Sequence, residues 1–161
     1  MAIEEAQNKV VTLDHALVLI DRIRRAGKSI VLISGYFDLY NIDYIKLIEN
    51  AKRFGDFLVV VVYDSLSDCI IFNNNERCLT MASNANVNIV MSVEYDDMIS
   101  TLNVIKPNYV VISNCDRCVW HDKVSEYGGK IAKIPLEHSI DSLADSYKQH
   151  IVQSNNSNFF S

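Results

Sequence analysis

An α/β layer fold with a mainly parallel sheet and helices on both faces is what this sequence predicts, on three observations. Three short apolar runs, 30–34 (IVLIS), 57–62 (FLVVVV) and 109–112 (YVVI), lack polar alternation, which is the pattern of strands buried on both faces. Stretches with apolar residues three and four positions apart lie between such runs. Glycine or proline punctuates the boundaries, at Gly27, Gly35, Gly55, Pro107 and Gly128-Gly129.

Along the chain, 4–26 carries Val10, Leu13, Leu17, Ile20 and Ile23 on one helical face and stops at Gly27, predicting a single amphipathic helix ahead of the sheet. After strand 30–34, the segment 41–54 places Ile42, Ile45, Leu47, Ile48 and Ala51 at helical spacing. Lys46, Glu49, Lys52 and Arg53 are turned to water, and Gly55 closes the helix. Strand, helix and the strand 57–62 make a βαβ unit. Residues 76–86 read as a helix, 87–91 (VNIVM) as a strand, and 95–105 as a helix ended by Pro107. Beyond 109–112, a segment 120–127, the Gly128-Gly129 turn and a strand 130–134 continue the alternation. The expected organisation is an N-terminal helix over 1–28, one domain over 29–150 and a loose tail over 151–161, where Phe159 and Phe160 can dock.

With 161 residues, 49% of them hydrophobic and 22% charged, the chain suits one packed domain. A net charge of −5 and a pI near 5.3 provide no positive surface for a phosphate backbone, so nucleic acid is not an expected partner. The run 57–62 is far too short to span a bilayer, and MAIEEAQNKV lacks a charged and then apolar leader, so no membrane association is expected. A soluble, intracellular, cytoplasmic protein is the expectation. Cys69, Cys78, Cys115 and Cys118 form no dense disulfide framework and read as reduced thiols.

In open α/β sheets ligands sit beyond the carboxyl ends of the strands. After 30–34 comes Gly35-Tyr36-Phe37-Asp38-Leu39-Tyr40-Asn41-Ile42-Asp43-Tyr44, leading into a helix whose first N–H groups suit an anion. Alone, this stretch is equally a strand-to-helix turn in which Phe37 packs and Asp38 caps the helix.

Those residues, GYFDLYNIDY, with the IKLIENAKRFGDFLVVVV that follows, resemble the cytidylyltransferase-like family of nucleotidyltransferases, in particular its glycerol-3-phosphate cytidylyltransferase and heptose-phosphate adenylyltransferase branch. The pattern there is GxFDxxHxGH, a helix, then LGD before an apolar strand. Glu76-Arg77 resembles the family's ER helix start. Ile105-Lys106-Pro107-Asn108, with Ser113-Asn114-Cys115-Asp116-Arg117, resembles its IKPD and NGGDR segments. The resemblance covers about 29–148 and implies a Rossmann-like nucleotidyltransferase fold. It implies a nucleotide or ligand site at Gly35, Tyr36, Phe37, Asp38, Arg77, Asp116, Arg117 and Ser142.

The chain departs from that pattern on the phosphate side. Asn41, Asp43 and Tyr44 stand where the family has its two histidines and glycine. Asn41 and Tyr44 donate hydrogen bonds but carry no positive charge, and a carboxylate at Asp43 repels a polyphosphate if it faces the pocket. Residues 64–75 (DSLSDCIIFNNN) hold no basic residue where the family has a lysine-glycine loop, Cys115 replaces a glycine, and the serine/threonine-rich motif survives only as Asp141-Ser142-Leu143.

The leading expectation is therefore a degenerate member, non-catalytic or weakly active. It would bind a nucleotide or small phosphorylated ligand, or serve as a protein-interaction subunit through the dimer interface common in the family. The alternative is an active enzyme moving CMP or AMP from CTP or ATP to a phosphorylated small molecule with release of pyrophosphate. There Asn41, Tyr44, Lys46 and Arg117 hold the phosphates, Asp38 lies near Mg²⁺ or the acceptor, and Mg²⁺ is needed only in this catalytic case. A third reading is a purely structural component with an inherited fold.

Arg77 and Arg117 fit ligand contact and plain surface equally. No metal is the default. The CxxC of Cys115 and Cys118 with His121 would need a fourth, distant ligand to hold zinc, and neutral strand-end cysteines are the simpler reading. His15 reads as a surface residue, and His138 and His150 flank the final helix.

Overall fold

In the computed structural model, which describes residues 2–64, 70–113 and 120–135, the three apolar runs form the centre of a five-stranded, wholly parallel sheet. The strands are β1 (Ile30–Gly35), β2 (Phe57–Tyr63), β3 (Ile89–Val93), β4 (Tyr109–Ile112) and β5 (Lys130–Lys133), in the order β3-β2-β1-β4-β5. Ile30, Val31, Leu32 and Ile33 are wholly buried, as are Leu58 through Val62, which is why these runs need no polar alternation.

Helices α1 (Ala2–Lys9), α3 (Ile42–Lys52) and α4 (Asn74–Ala82) pack on one face, against Val31, Ile33, Leu58, Val60 and Val90. Helices α2 (Leu13–Arg25), α5 (Met98–Ile105) and α6 (His121–Glu126) pack on the other, against Leu32, Val59, Val61, Met91 and Val110. The expected Rossmann-like fold with helices on both faces is the fold observed. From β1 the chain steps outward to β2 and β3, then crosses back to lay β4 and β5 on the other side. The carboxyl ends of β1 and β4 thus flank a topological switch point, where such sheets open a crevice.

Four elements differ from the sequence reading. The single helix over 4–26 is two helices on opposite faces of the sheet, because the chain crosses the free edge of β3 between them. Val10 bridges Val90, the Val11 N–H donates to the Val90 carbonyl (2.9 Å), and Thr12 caps α2 by accepting from the His15 N–H (3.3 Å). The helix expected over 76–86 starts earlier. Asn73 accepts from the Glu76 N–H (2.9 Å) while the Glu76 carboxylate accepts from the Asn73 N–H (3.1 Å), a reciprocal capping box. The strand expected over 87–91 lies two residues later, since Asn88 is occupied in a turn, its side-chain carbonyl accepting from the Leu58 N–H (2.8 Å). The helix over 95–105 begins as a 3₁₀ turn, Tyr95–Asp97, and ends where Lys106 turns left-handed (φ 46°) ahead of Pro107. Among the described residues no helix is long and apolar enough to cross a membrane.

Candidate functional site at the carboxyl edge of the sheet

The turn after β1 is fixed by its own aromatic residues. Phe37 adopts a left-handed backbone (φ 49°), and its ring folds back over Gly35, where a Cβ would stand 3.2 Å from the ring. Phe37 is 3% exposed and meets Tyr44 edge-to-face at 5.2 Å between centroids. Tyr36 remains at the surface, 41% exposed, and packs edge-to-face on Tyr63 (5.2 Å), which in turn meets Tyr95 (5.1 Å).

Asp38 does not cap α3. Its two carboxylate oxygens accept the N–H groups of Ile71 and Phe72, each at 2.8 Å, and so pin the segment after β2 to the turn after β1. The α3 cap is Asn41. Its side-chain oxygen accepts from the Asp43 N–H (2.9 Å) and its amide nitrogen donates to the Leu39 carbonyl (2.7 Å).

The buried stripe of α3 is Asp43, Tyr44, Leu47, Ile48 and Ala51, whereas Ile42, expected on that stripe, is 58% exposed. Asp43 is fully buried and Tyr44 is 2% exposed, so both point into the protein rather than into open solvent. Lys46 is half-buried on the same helix.

Arg77 is not a surface arginine. It is 2% exposed, and it donates to the carbonyls of Phe72 (3.1 Å), Tyr36 (2.7 Å) and Tyr63 (2.9 Å), tying together the segments that follow β1 and β2. Next to it on α4, burial pushes the Cys78 thiol up to about 11, although the Arg77 charge works against that shift. Cys78 is thus a buried thiol and not a nucleophile.

The structure brings together Gly35, Tyr36, Phe37, Asp38, Asn41 and Arg77. The remaining site residues expected from sequence, Asp116, Arg117 and Ser142, lie outside the described residues, as do Cys69, Cys115, Cys118, His138 and His150. His15 is exposed on α2, and Nε2 of His121, the first residue of α6, is buried without a hydrogen-bond partner among the described residues. Among the described residues no group of three or more His, Cys, Asp or Glu side chains is placed to hold a metal ion.

Sequence reasoning missed the Tyr36–Tyr63–Tyr95 ladder and the amides of Ile71 and Phe72. The signal for the first was an aromatic residue closing the valine run, at Tyr63.

No family model matches the sequence. Two relatives, each named bifunctional protein HldE, align with most of it. The protein from Desulfatibacillum aliphaticivorans is 28% identical over 146 residues, 84% of this chain and 30% of its own length. The one from Koribacter versatilis is 29% identical over 155 residues, 90% of this chain and 32% of its own. The chain therefore spans about a third of the length of these relatives. Among solved structures, a lipopolysaccharide core biosynthesis protein from Thermoplasma volcanium superposes with a TM-score of 0.59 at 23% identity, covering 70% of this chain and 99% of that one. A pantoate-beta-alanine ligase from Francisella tularensis, crystallised with an ATP compound and beta-alanine, superposes with a TM-score of 0.55 at 14% identity, covering 77% of this chain and 66% of that one.

Proposed function

We propose that the chain is a degenerate member of the cytidylyltransferase-like family of nucleotidyltransferases, binding a nucleotide or small phosphorylated ligand without efficient nucleotidyl transfer, as a homodimer or as the subunit of a partner protein. One observation carries the reading: the anion-binding positions of the crevice are engaged by the protein's own side chains. The Asn41 side chain spends both its groups on the α3 cap, with buried Asp43 and Tyr44 behind it. The Asp38 carboxylate takes the Ile71 and Phe72 amides, and Arg77 is spent on three carbonyls. A triphosphate entering this edge meets no free cation among the residues just named, and stabilising charge as it develops on phosphorus needs such donors. The exposed rings of Tyr36 and Tyr95 suit a flat base better than a polyphosphate.

Mg²⁺ belongs to the catalytic alternative alone: among the described residues no group of three or more ligating side chains is placed to hold it, and each Asp38 oxygen already accepts one amide N–H.

A thermal-shift screen with CTP, ATP, CMP, AMP and CDP-glycerol, with and without Mg²⁺, tests the reading. A ligand at about 100 times its dissociation constant adds ~2.7 kcal/mol. The expected result is a shift with a nucleotide that Mg²⁺ does not change, and no pyrophosphate release. A Mg²⁺-dependent shift with one triphosphate, accompanied by turnover that Asn41→Ala or Arg117→Ala abolishes, would establish the active enzyme instead.

A further inference from the structure

At the amino end of the sheet, opposite the crevice, a cavity of about 290 Å³ is lined by Arg24, Lys106, Asn108, Tyr127 and the Gly128-Gly129 pair. Three connections build it: the end of α2, the turn from α5 into β4, and the turn from α6 into β5. Two left-handed residues shape its wall, Lys106 (φ 46°) and Gly128 (φ 85°). Gly129 is required there because a Cβ would stand 2.5 Å from the Tyr127 ring.

The lining is positive. Among the described residues no acidic side chain contributes to it, while Arg24 and Lys106 bring two cations. One guanidinium nitrogen of Arg24 donates to the carbonyls of Ile105 and Lys106, answering the exposed C-terminal end of α5. Its other two nitrogens make no hydrogen bond to a described residue. The Tyr127 hydroxyl is buried and has no hydrogen-bond partner among the described residues. Native folds rarely leave such a group without a partner. Burial pushes this phenol up to about 12, so it stays a donor throughout the physiological range.

We propose that this cavity is a binding site for a small oxyanion, a carboxylate or phosphate group, held by the charges of Lys106 and Arg24 and by the Tyr127 hydroxyl once it turns from its buried position toward the bound oxygen. The volume lies just below that of a drug-sized pocket and suits a compact anion rather than a nucleotide. The site is independent of the crevice, lying at the other end of the strands.

The test is a titration of the full chain with inorganic phosphate, and separately with acetate, followed through backbone amide resonances. Saturable shifts are expected at Lys106, Gly128 and Gly129 with one or both anions, while Gly35 to Asp38 stay still. Lys106→Ala should weaken binding about ten-fold or more, and Tyr127→Phe, which keeps the ring and its packing, several-fold. No saturable shift with either anion, shifts centred on Gly35 to Asp38, or unchanged affinity in both variants would each overturn the proposal.

Discussion

Asn41 shows how a single side chain can hold a motif position and yet be unable to do the motif's chemistry. Its oxygen and nitrogen are both used within the turn, so Asn41→Ala removes a helix cap. It should lower stability by about 1 kcal/mol, a fall in Tm of about 2–4 °C, which thermal unfolding will measure. Arg77 is the costlier residue. Arg77→Met strands the carbonyls of Tyr36, Tyr63 and Phe72 without their donor and should cost about 3 kcal/mol or more in urea unfolding. Arg77→Lys should recover only part of this, because one ammonium on a flexible stem does not reproduce a planar fork aimed at three acceptors. Full recovery by lysine would mean that the charge alone matters. Neither the cap nor the strut was legible in the sequence. Asparagine is as good a cap as a phosphate donor on paper, and an arginine reads as surface until the fold closes around it.

The helices and strands were more legible than their side chains. Runs such as 57–62 stand out because a strand buried on both faces has no position at which polarity is tolerated. The N-terminal break did not stand out, since Val10 and Leu13 keep a helical spacing across it. Only the tertiary position of β3, whose edge captures Val10 and Val11, converts one helix into two. The α3 stripe was misplaced for the same reason. Ile42 has the right chemistry for the core, but the direction in which the helix leaves the Asn41 cap turns Asp43 and Tyr44 inward. The N-terminal crossing covers β3, whose unpaired edge would otherwise be open to strand addition from another copy. A chain beginning at Thr12 loses α1 and the Val10 and Val11 contacts while keeping the α2 cap. It should self-associate at concentrations where the full chain does not, as light scattering will report. An unchanged scattering mass would show that the edge needs no cover.

At the scale of the molecule, burial of titratable groups on opposite faces of one sheet gives a pH dependence whose sign is fixed. Cys78, on the α3 and α4 face, is raised from 9.0 to about 11. Tyr127, beside the α2, α5 and α6 face, is raised from 10.0 to about 12. In both, desolvation penalises the charged form, so the folded chain holds its proton after the unfolded chain has lost it. Stability is therefore unaffected by these two groups below pH 9, and it falls as pH rises from about 9 towards about 12. Lys52 works in the opposite sense. Burial lowers its value against the attraction of Asp56, so the unfolded chain binds the extra proton and stability gains slightly as pH approaches 10.5. That group is only half-buried and in part screened by water, so the fall should win. Urea midpoints measured below pH 9 and again near pH 11 should drop in the wild type. Cys78→Ala should remove the lower part of the drop, and Tyr127→Phe the upper part. If both variants together keep the full alkaline fall, the two buried protons are not its source, and the sheet is losing stability through its surface charges instead.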